Sequence, residues 1–383
     1  MTKIKLYSGT EIEQIEWASK TNGKAVQNYF TEMLLHQASY YIDNVTAQLM
    51  ILEIDRLLLP ITVSTPYKGN SYVVSPYTQY IDYAIEELRE LKHPILETGL
   101  KGMLKLIGRF FYKSEIDRIV IVNNWLLSTN LYENLKEGQA KEITLFLAEK
   151  FPDCAIMFRS LTNTLHTDII SELGNIGCKF IPSRSIYLFY PHKFNTFSKR
   201  QKKAIRRDMK FLHQSGYEVV SHDRITESDL KMVWELYKRL YLQKYSYYNP
   251  QFNVRFLTNA WKHRLIEFKL LKKNNQVYGV VGFVVCNGMM TTPILGYDTS
   301  LSKEEGLYRL CSILLTDHSL ENEILLHRSA GAGRFKRLRG AINEIEYSLV
   351  FCQHLSLKRK SVWSFLEKTL TKIGIPLLKK YEL

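Results

Sequence analysis

Three apolar runs in the second half of the chain constrain its fold more than any other feature. They span 268–272, 277–286 and 289–298, and they are separated by Asn274-Asn275 and Asn287-Gly288. An Asn-Gly pair between two such runs is a strong signal for a two-residue β-hairpin, because both central residues of that turn need a positive φ. The sequence therefore predicts three consecutive antiparallel strands here.

Helix and strand signals alternate along the rest of the chain. In the first half, strands are predicted within 45–64 (folded at Asp55-Arg56) and at 116–122, 155–160 and 180–190, and helices over 78–91, 95–111, 138–150 and 167–173. A capping box is predicted at Thr10–Glu13. In the second half, helices are predicted over 227–244, 252–264 and 303–319, and strands at 217–222, 324–327 and 343–353. This alternation is typical of an α/β (α+β) protein.

A chain of 383 residues exceeds what one hydrophobic core usually organises. We therefore predict two tandem domains, 1–190 and 191–383, each with a mixed, mostly antiparallel sheet flanked by helices. The five cysteines are scattered, which favours a reducing, cytoplasmic location and argues against a disulfide scaffold or a structural zinc. No metal site, transmembrane segment or signal peptide is expected from the sequence.

Charge is distributed unevenly between the two halves. Residues 1–190 hold 19 Lys and Arg against 21 Asp and Glu, whereas residues 191–383 hold 33 against 17. The second half therefore carries a net charge of +16 and the first half −2. This asymmetry predicts a polyanionic partner for the second half, which is tRNA or another nucleic acid, an acidic carrier protein, or an anionic membrane surface contacted peripherally.

The second half opens with a basic helix in which seven of thirteen residues, 198–210, are Lys or Arg and only Asp208 is acidic. Its cationic face fits a phosphate backbone or an acidic carrier protein, and a solvated helix face is the alternative. The predicted polyanion-binding residues are Lys199, Arg200, Lys202, Lys203, Arg206, Arg207 and Lys210.

The predicted strand at 324–327 runs into a loop of small residues that holds four cations in six positions. Small residues let backbone N–H groups approach an anion, and the cations supply charge to hold it. The loop thus predicts a site for a phosphate-bearing donor, and a solvated basic loop is the alternative. The predicted donor-binding residues are Arg328, Ser329, Gly331, Gly333, Arg334, Lys336, Arg337 and Arg339.

Residues 198–354 resemble the C-terminal domain of FemAB-like acyltransferases of the GNAT superfamily. The resemblance rests on the basic helix, the strand meander reaching Leu295-Gly-Tyr-Asp298, and the strand followed by Phe335-Lys-Arg-Leu-Arg-Gly-Ala341. It implies two GNAT-like domains and an acyltransferase that forms an amide with an amine acceptor, a small molecule or a peptide. The implied donor is acyl-CoA or acyl carrier protein, without a metal.

Two departures from the family pattern keep other functions open. The usual GNAT pyrophosphate loop is not evident before Leu307, and the helical arm of the cell-wall Fem enzymes is not evident either. One alternative is a Fem-type transferase that takes its acyl group from aminoacyl-tRNA. A second alternative, from a different class, is a non-catalytic RNA- or membrane-binding module on a degenerate acyltransferase fold.

The resemblance places the chemistry at the end of the third meander strand. There Asp298 is a candidate base and Tyr297 or Tyr308 a candidate acid. His327 and Glu346 are further candidate bases. Each has a structural alternative: Asp298 as a turn former, His327 as a buried core residue and Glu346 as an outward-facing charge.

Polar residues also follow two predicted strands in the first half. Because open α/β sheets bind ligands at the carboxyl ends of their strands, we expect these residues to line a substrate pocket, with turn and cap roles as the alternative. They are Ser75, Tyr77, Tyr80, Asn123, Asn124, Trp125 and Ser128. At the other end of the chain, 357–383 predicts a basic amphipathic helix that docks on its own domain or lies in a membrane interface.

Overall fold

The chain passes repeatedly between two units. In the computed structural model, which describes residues 3–91 and 93–381, the first unit takes the described residues up to Ser183, the short segment Ser246–Gln251 and the stretch Glu346–Tyr381. The second unit takes Arg184–Tyr245 and Phe252–Ile345. The predicted boundary between residues 190 and 191 does not account for the two later segments, Ser246–Gln251 and Glu346–Tyr381, that belong to the first unit.

Elements are numbered in chain order. The first unit contains strands β1 Ile4–Tyr7, β2 Gln48–Ile54, β3 Leu57–Ser64, β4 Ile119–Val122 and β5 Ala155–Leu161, and helices α1 Gly23–His36, α2 Tyr83–Glu87, α3 Pro94–Lys113, α4 Gln139–Lys150 and α5 Thr167–Asn175. The second unit contains helices α6 Lys199–Gln214, α7 Glu227–Tyr237, α8 Val254–Lys262, α9 Leu307–Glu321 and α10 Gly333–Arg337, and strands β7 Glu218–Ser221, β8 Glu267–Lys273, β9 Gln276–Cys286, β10 Met289–Tyr297 and β11 Leu325–His327. Helices α11 Leu357–Thr369 and α12 Ile375–Tyr381 return to the first unit.

Two further strands change unit along their length. Strand β6, Lys179–Phe189, begins in the first unit and ends in the second, whereas β12, Ile342–Phe351, does the reverse. The distal part of β6 pairs antiparallel with β11, and the distal part of β12 pairs antiparallel with β5. Each half of the chain therefore supplies the sixth strand of the other half's unit.

The two units repeat one strand arrangement. The strand order is β1-β2-β3-β4-β5-β12 in the first and β7-β8-β9-β10-β11-β6 in the second. Only the fourth and fifth strands, β4–β5 and β10–β11, are parallel, and the other neighbours are antiparallel. The predicted α/β class with two similar, mostly antiparallel strand arrangements is confirmed.

The predicted turns hold at residue level. Asn274-Asn275 and Asn287-Gly288 each join paired strands through two residues of positive φ, and Asp55-Arg56 joins β2 to β3. The capping box at Thr10–Glu13 is wrong in register, because the Ser8 N–H and hydroxyl donate to Glu11 instead. The helix predicted from 303 begins at Leu307, because Gly306 has a φ of 63° and ends a separate short turn.

The tail packs on the first unit through one face. Val362, Trp363 and Leu366 of α11 are buried in a core that also holds Phe111 of α3. Apolar side chains on its other face stay exposed. Across the described residues, no helix has both the length and the apolar content needed to cross a membrane.

Candidate functional site

A buried arginine occupies the same topological place in both units. Phe158 on β5 is the last residue to pair with β4, and His327 on β11 is the last to pair with β10. The next residue is Arg159 in one case and Arg328 in the other, and both are at most 9% exposed. Each is followed by a serine of positive φ, at +62° for Ser160 and +55° for Ser329.

In the first unit this arginine lies among groups of the same unit. Arg159 Nη1 donates to the Val73 carbonyl at 3.1 Å, and the Arg159 carbonyl accepts from the Tyr132 hydroxyl at 2.7 Å. Glu346 on β12 is 2% exposed, and its charge and that of Arg159 both act on Tyr132. This carboxylate is buried, so it is not the outward-facing charge considered as its alternative.

His166 adjoins the same buried region. Its ring lies 5.4 Å from that of Tyr132, and its Nδ1 accepts the Thr162 N–H at 3.1 Å. Burial lowers the pKa of His166 from 6.5 to about 4, although the charge of Glu346 acts in the opposite direction. The imidazole is therefore neutral at physiological pH.

The predicted first-half residues mostly tie loops together. Asn124 donates to Thr62 Oγ1 and to the Val73 carbonyl, both at 2.9 Å, and so lies beside Arg159. Asn123 donates to the Leu131 carbonyl at 2.7 Å and accepts from the Trp125 indole at 2.9 Å. Their amide groups are thus engaged within the chain, whereas Ser128 is half-buried and Tyr80 is buried.

Ser75 and Tyr77 belong to a separate cluster around Asp117, which the sequence did not indicate. The Ser75 hydroxyl and the Tyr77 N–H donate to the two oxygens of Asp117, each at 2.8 Å. Burial raises the pKa of Asp117 to about 6, and the two hydrogen bonds partly offset that effect.

The start of α4 in the first unit is capped by the chain itself. Glu172 of α5 accepts from the N–H groups of Gly138, Ala140 and Lys141, at 2.6, 3.1 and 3.4 Å. A carboxylate at this place satisfies amides that a helix start leaves unpaired and opposes the positive end of the helix dipole. An external anion finds this helix start already occupied.

In the second unit the equivalent arginine is only partly satisfied. Arg328 Nη2 donates to Ser312 Oγ at 2.7 Å and to Thr316 Oγ1 at 2.9 Å, both on α9. Its Nη1 is buried and has no hydrogen-bond partner among the described residues. Burial lowers the pKa of Arg328 to about 10.

The strand that faces Arg328 offers it no carboxylate. Leu349 pairs with Phe158 on β5, and Leu188 pairs with His327 on β11, so these two positions correspond. Three residues earlier stands Glu346 in the first unit but Ser185 in the second. The Ser185 hydroxyl is engaged by Asn343 Nδ2 at 2.7 Å.

Lys336 lies inside the loop that the sequence predicts to hold donor phosphates. Its ammonium donates to the carbonyls of Arg328, Ser329 and Ala330, at 2.5, 3.2 and 2.7 Å, and the side chain is buried. Burial lowers its pKa well below the usual range, and the charge of Arg328 acts in the same direction. Lys336 therefore holds the loop in shape and does not face solvent.

The other predicted loop residues divide into buried and exposed sets. Arg339 donates to Asp208 Oδ2 at 2.5 Å, and Arg309 binds the other oxygen of that carboxylate. Arg334 and Arg337 are exposed. Gly331 has a φ of 75° in the turn that leads to Gly333, where α10 begins.

Three buried cations thus lie near one buried acid in the second unit. The cations are Arg328, Lys336 and Arg339, and the acid is Asp208. Sequence reasoning counted Asp208 only as the lone acid of a basic helix. Its spacing of three from Ile205, on the apolar face, could have identified it as inward-facing.

Tyr297 and Tyr308 come together beside this cluster. Their ring centroids are 6.2 Å apart, and Tyr308 lies 5.1 Å from Phe335 of the loop. Burial raises the pKa of Tyr308 to about 12, although the nearby charge of Arg328 opposes the shift. Its phenol is consequently protonated at neutral pH.

The candidate bases are engaged in turns or lie in the other unit. Asp298 accepts from the Ser300 N–H at 3.0 Å and hydroxyl at 2.6 Å, and pairs with Arg239 at 3.4 Å. His327 Nδ1 accepts the Ser329 N–H at 3.2 Å. Glu346 belongs to the first unit, so the structure does not group it with the other four candidates. No cluster of metal-binding side chains occurs within the described ranges.

The predicted polyanion-binding residues form one face of α6. Lys199, Arg200, Lys203, Arg206, Arg207 and Lys210 are exposed, and Lys202 is half-buried with its ammonium on the Asn195 carbonyl at 2.7 Å. Six of these side chains border an open depression of about 480 Å³. Because the only acid of the helix points inward, nothing on α6 neutralises its outer face.

No family model and no curated protein matches this sequence. Among solved structures, the chain is similar to a C-terminal domain named for a lysylphosphatidylglycerol synthetase from Agrobacterium fabrum, with 12% identity and a TM-score of 0.46 over 62% of this chain and 79% of that one. FemX is similar at 10% identity and a TM-score of 0.44, over 61% and 81%. A tandem GNAT protein from the clavulanic acid biosynthesis pathway is similar at 7% identity and 0.40, over 93% and 99%. The similar structures include those expected from the FemAB-like and GNAT resemblance, and the likeness concerns the fold alone.

Proposed function

We propose that the chain is an acyltransferase that moves an acyl group from acyl-CoA or an acyl carrier protein to an amine, with the donor bound by the second unit. The observation that supports this most is the buried Nη1 of Arg328, which has no partner in a cluster of three cations and one acid. A buried cation without a counter-ion is costly, and an anionic ligand would remove that cost.

The strands around Arg328 support the same location. β10 pairs with β11 only over Met289–Thr291, then bulges and continues to Tyr297, whereas β11 ends at His327. The parallel strands therefore separate just before Arg328. At this end α9 begins without any side-chain cap among the described residues, in contrast to the capped start of α4.

The reaction needs no covalent enzyme intermediate. The amine nitrogen forms a bond to the thioester carbonyl carbon and the carbon–sulfur bond breaks. The amine loses a proton to solvent water, and the leaving thiolate gains one from a donor that water then reprotonates. The protonated phenol of Tyr308 is the proposed proton donor. Burial raises the pKa of Cys311 to about 12, which leaves that thiol protonated and unsuited to attack.

Calorimetric titration with CoA and a series of acyl-CoAs tests the donor site. Arg328→Gln is expected to weaken donor binding by about 10- to 150-fold, since one charge-assisted contact is worth roughly 1.5–3 kcal/mol. The matched control is Lys231→Gln, an exposed cation of α7 outside the predicted donor site, which should bind nearly as wild type. Equal binding by Arg328→Gln, or equal loss by both variants, contradicts the proposed site.

Lys336, although it is a predicted donor-binding residue, does not give a clean test of donor binding. Because its ammonium holds three loop carbonyls, Lys336→Ala is expected to lower the melting temperature as well as donor affinity. Turnover is tested separately, by mass spectrometry of amines incubated with each acyl-CoA. An acyl group found on the protein instead of the amine would refute direct transfer.

Charged tRNA is the second candidate donor, and the outer face of α6 favours it. Six exposed cations with no exposed acid on the helix predict RNA binding that weakens steeply with salt. Filter binding of aminoacyl-tRNA, with a Lys203→Glu/Arg206→Glu variant, distinguishes this donor from CoA. If RNA binds but neither donor class yields an acylated amine, the chain is a binding module and the enzyme proposal fails.

A further inference from the structure

Helix α3 in the first unit presents a long apolar stripe to solvent. Its 20 residues place Ile95, Met103, Leu106 and Phe110 at helical spacing along one side, with exposed fractions of 83, 47, 63 and 40%. Only the adjacent side packs inward, where Phe111 is buried. A soluble helix normally buries its whole apolar stripe, so an exposed one marks an interaction surface.

A row of cations borders this stripe. Lys101, Lys105 and Arg109 follow one another at intervals of four residues and are all exposed. Helical geometry places the row directly beside Ile95 and Leu106, and places Glu97, the only acid of α3, on the far side of it. The apolar stripe is thus edged by three cations, of which only Lys101 has an acid of the helix, Glu97, one turn away.

The surface continues onto the C-terminal helices of the same unit. Phe365 of α11 contacts the rings of Phe110 and Phe111, with centroid distances of 6.5 and 6.3 Å. Phe365, Ile373 and Leu377 are 40, 57 and 40% exposed, and Lys368 and Lys372 are exposed among them. Two chain segments distant in sequence therefore combine apolar and cationic side chains on one face.

We propose that this face of the first unit, formed by α3 with Phe365 of α11, docks on the surface of an anionic lipid bilayer. Apolar side chains edged by lysine and arginine are the combination that inserts at the boundary between lipid headgroups and acyl chains. Lysines beside the inserted stripe are attracted by anionic headgroups, which an uncharged partner surface would not explain. The inference is independent of the proposed acyl transfer.

Co-sedimentation with vesicles tests it, using full-length protein and phosphatidylcholine vesicles with or without roughly one-third phosphatidylglycerol. Wild type is expected to sediment with the anionic vesicles and much less with phosphatidylcholine alone. Leu106→Glu/Phe110→Glu should weaken that binding by at least about ten-fold. Leu106 is exposed but Phe110 also contacts the Phe365 ring, so Leu106→Glu alone, which should weaken binding less, is the variant expected to keep the wild-type melting temperature.

Two controls separate this surface from other causes of binding. Val219→Glu/Val285→Glu places the same charge at two exposed apolar residues of the second unit and should bind vesicles as wild type. Lys203→Glu/Arg206→Glu, on α6, should retain most of the binding. The proposal is overturned if wild type ignores anionic vesicles, if the α6 variant alone abolishes binding, or if Leu106→Glu/Phe110→Glu converts a dimer to a monomer and leaves vesicle binding intact.

Discussion

The two units share a strand arrangement and a buried arginine, but they differ in what satisfies the polar groups around it. In the first unit Arg159 has the Val73 carbonyl and lies in the same buried region as Glu346, and Glu172 caps α4. In the second unit Arg328 keeps an unpartnered Nη1, and α9 starts without a side-chain cap among the described residues. In the first unit, carboxylates of the chain itself lie at these polar positions, whereas in the second unit the equivalent polar groups lack such partners among the described residues. Polar groups left open at a buried place reduce stability, which is the usual condition of a binding site.

Removing the two arginines should give opposite results, and this is the largest expected difference. Arg159→Met removes the buried donor to the Val73 carbonyl from the region that also holds Glu346, and should lower the free energy of unfolding by about 1–3 kcal/mol. Arg328→Met removes a buried charge that shares one acid, Asp208, with two other cations and keeps an unpartnered Nη1, so stability should change by less than about 1 kcal/mol or rise. Urea denaturation of both variants measures this. Equal losses would mean that the two sites are equivalent and that the comparison is mistaken.

The buried His166 of the first unit should make the protein less stable in acid. In the folded protein the pKa of His166 is about 4, whereas its ordinary value, which applies to the unfolded chain, is 6.5. Between pH 6.5 and pH 4 the unfolded chain therefore binds more protons than the folded protein, so stability falls as the pH falls. The loss through this residue should approach about 3 kcal/mol across that window. His166→Asn keeps an acceptor for the Thr162 N–H but cannot titrate. Denaturation at several pH values should show a shallower decline in this variant, and parallel curves would count against the assignment.

Asp117 complicates the pH profile with the opposite sign. Its folded pKa of about 6 lies above 3.8, so its contribution to stability is largest in acid and declines as pH rises towards 6. Measuring His166→Asn in an Asp117→Asn background removes this effect.

Alanine variants of two glycines with nearly equal φ allow the cost of a steric clash to be distinguished from the cost of backbone strain. Gly340 in the second unit has a φ of +83° and Gly138 in the first has +85°. A Cβ at Gly340 would lie 2.2 Å from the Phe197 ring, whereas a Cβ at Gly138 would meet nothing within 4 Å. Both alanine variants should lose about 1–2 kcal/mol to left-handed strain, and Gly340→Ala about 1–3 kcal/mol more. Equal melting temperatures for the two variants would rule out the predicted clash.

The smallest effect concerns the cap on α4. Glu172→Gln keeps an oxygen acceptor but removes the charge that opposes the helix dipole, which should cost about 0.3–1 kcal/mol. Glu142→Gln, an exposed acid in the first turn of α4, is the matched control and should cost less. A larger loss in the control would show that Glu172 is not the residue that closes this helix start.

Local chemistry explains which parts of the fold the sequence predicts. The turns at Asp55-Arg56 and Asn287-Gly288 are encoded by the residues in the turn itself, and both were predicted. The capping box was misplaced by two residues because Ser8 and Thr10 are both good caps and each has a glutamate three residues later. The exchange of β6 and β12 was not predicted, because the pairing partner of a strand depends on residues far away in sequence.

The candidate site shows the same limit more sharply. Lysine and arginine in the 328–339 loop read alike in sequence, but Lys336 and Arg339 are buried whereas Arg334 and Arg337 are exposed. That division depends on the carbonyls of the loop and on Asp208 of α6, which lies more than a hundred residues earlier in the chain. Periodicity identifies Asp208 as inward-facing, but it cannot name the two arginines that bind it.

The exchanged strands also determine when the protein can finish folding during its synthesis. Leu161 of β5 pairs with Tyr347 of β12, so roughly 190 further residues must be synthesised before this strand edge is covered. At about 5–20 residues per second, that synthesis takes about 10–40 s. During that interval β5 offers a bare strand edge to any neighbouring chain. Translation that stalls anywhere between the two strands would release a product with an uncovered edge, so nascent chains of this protein should depend on chaperones more than their final fold suggests.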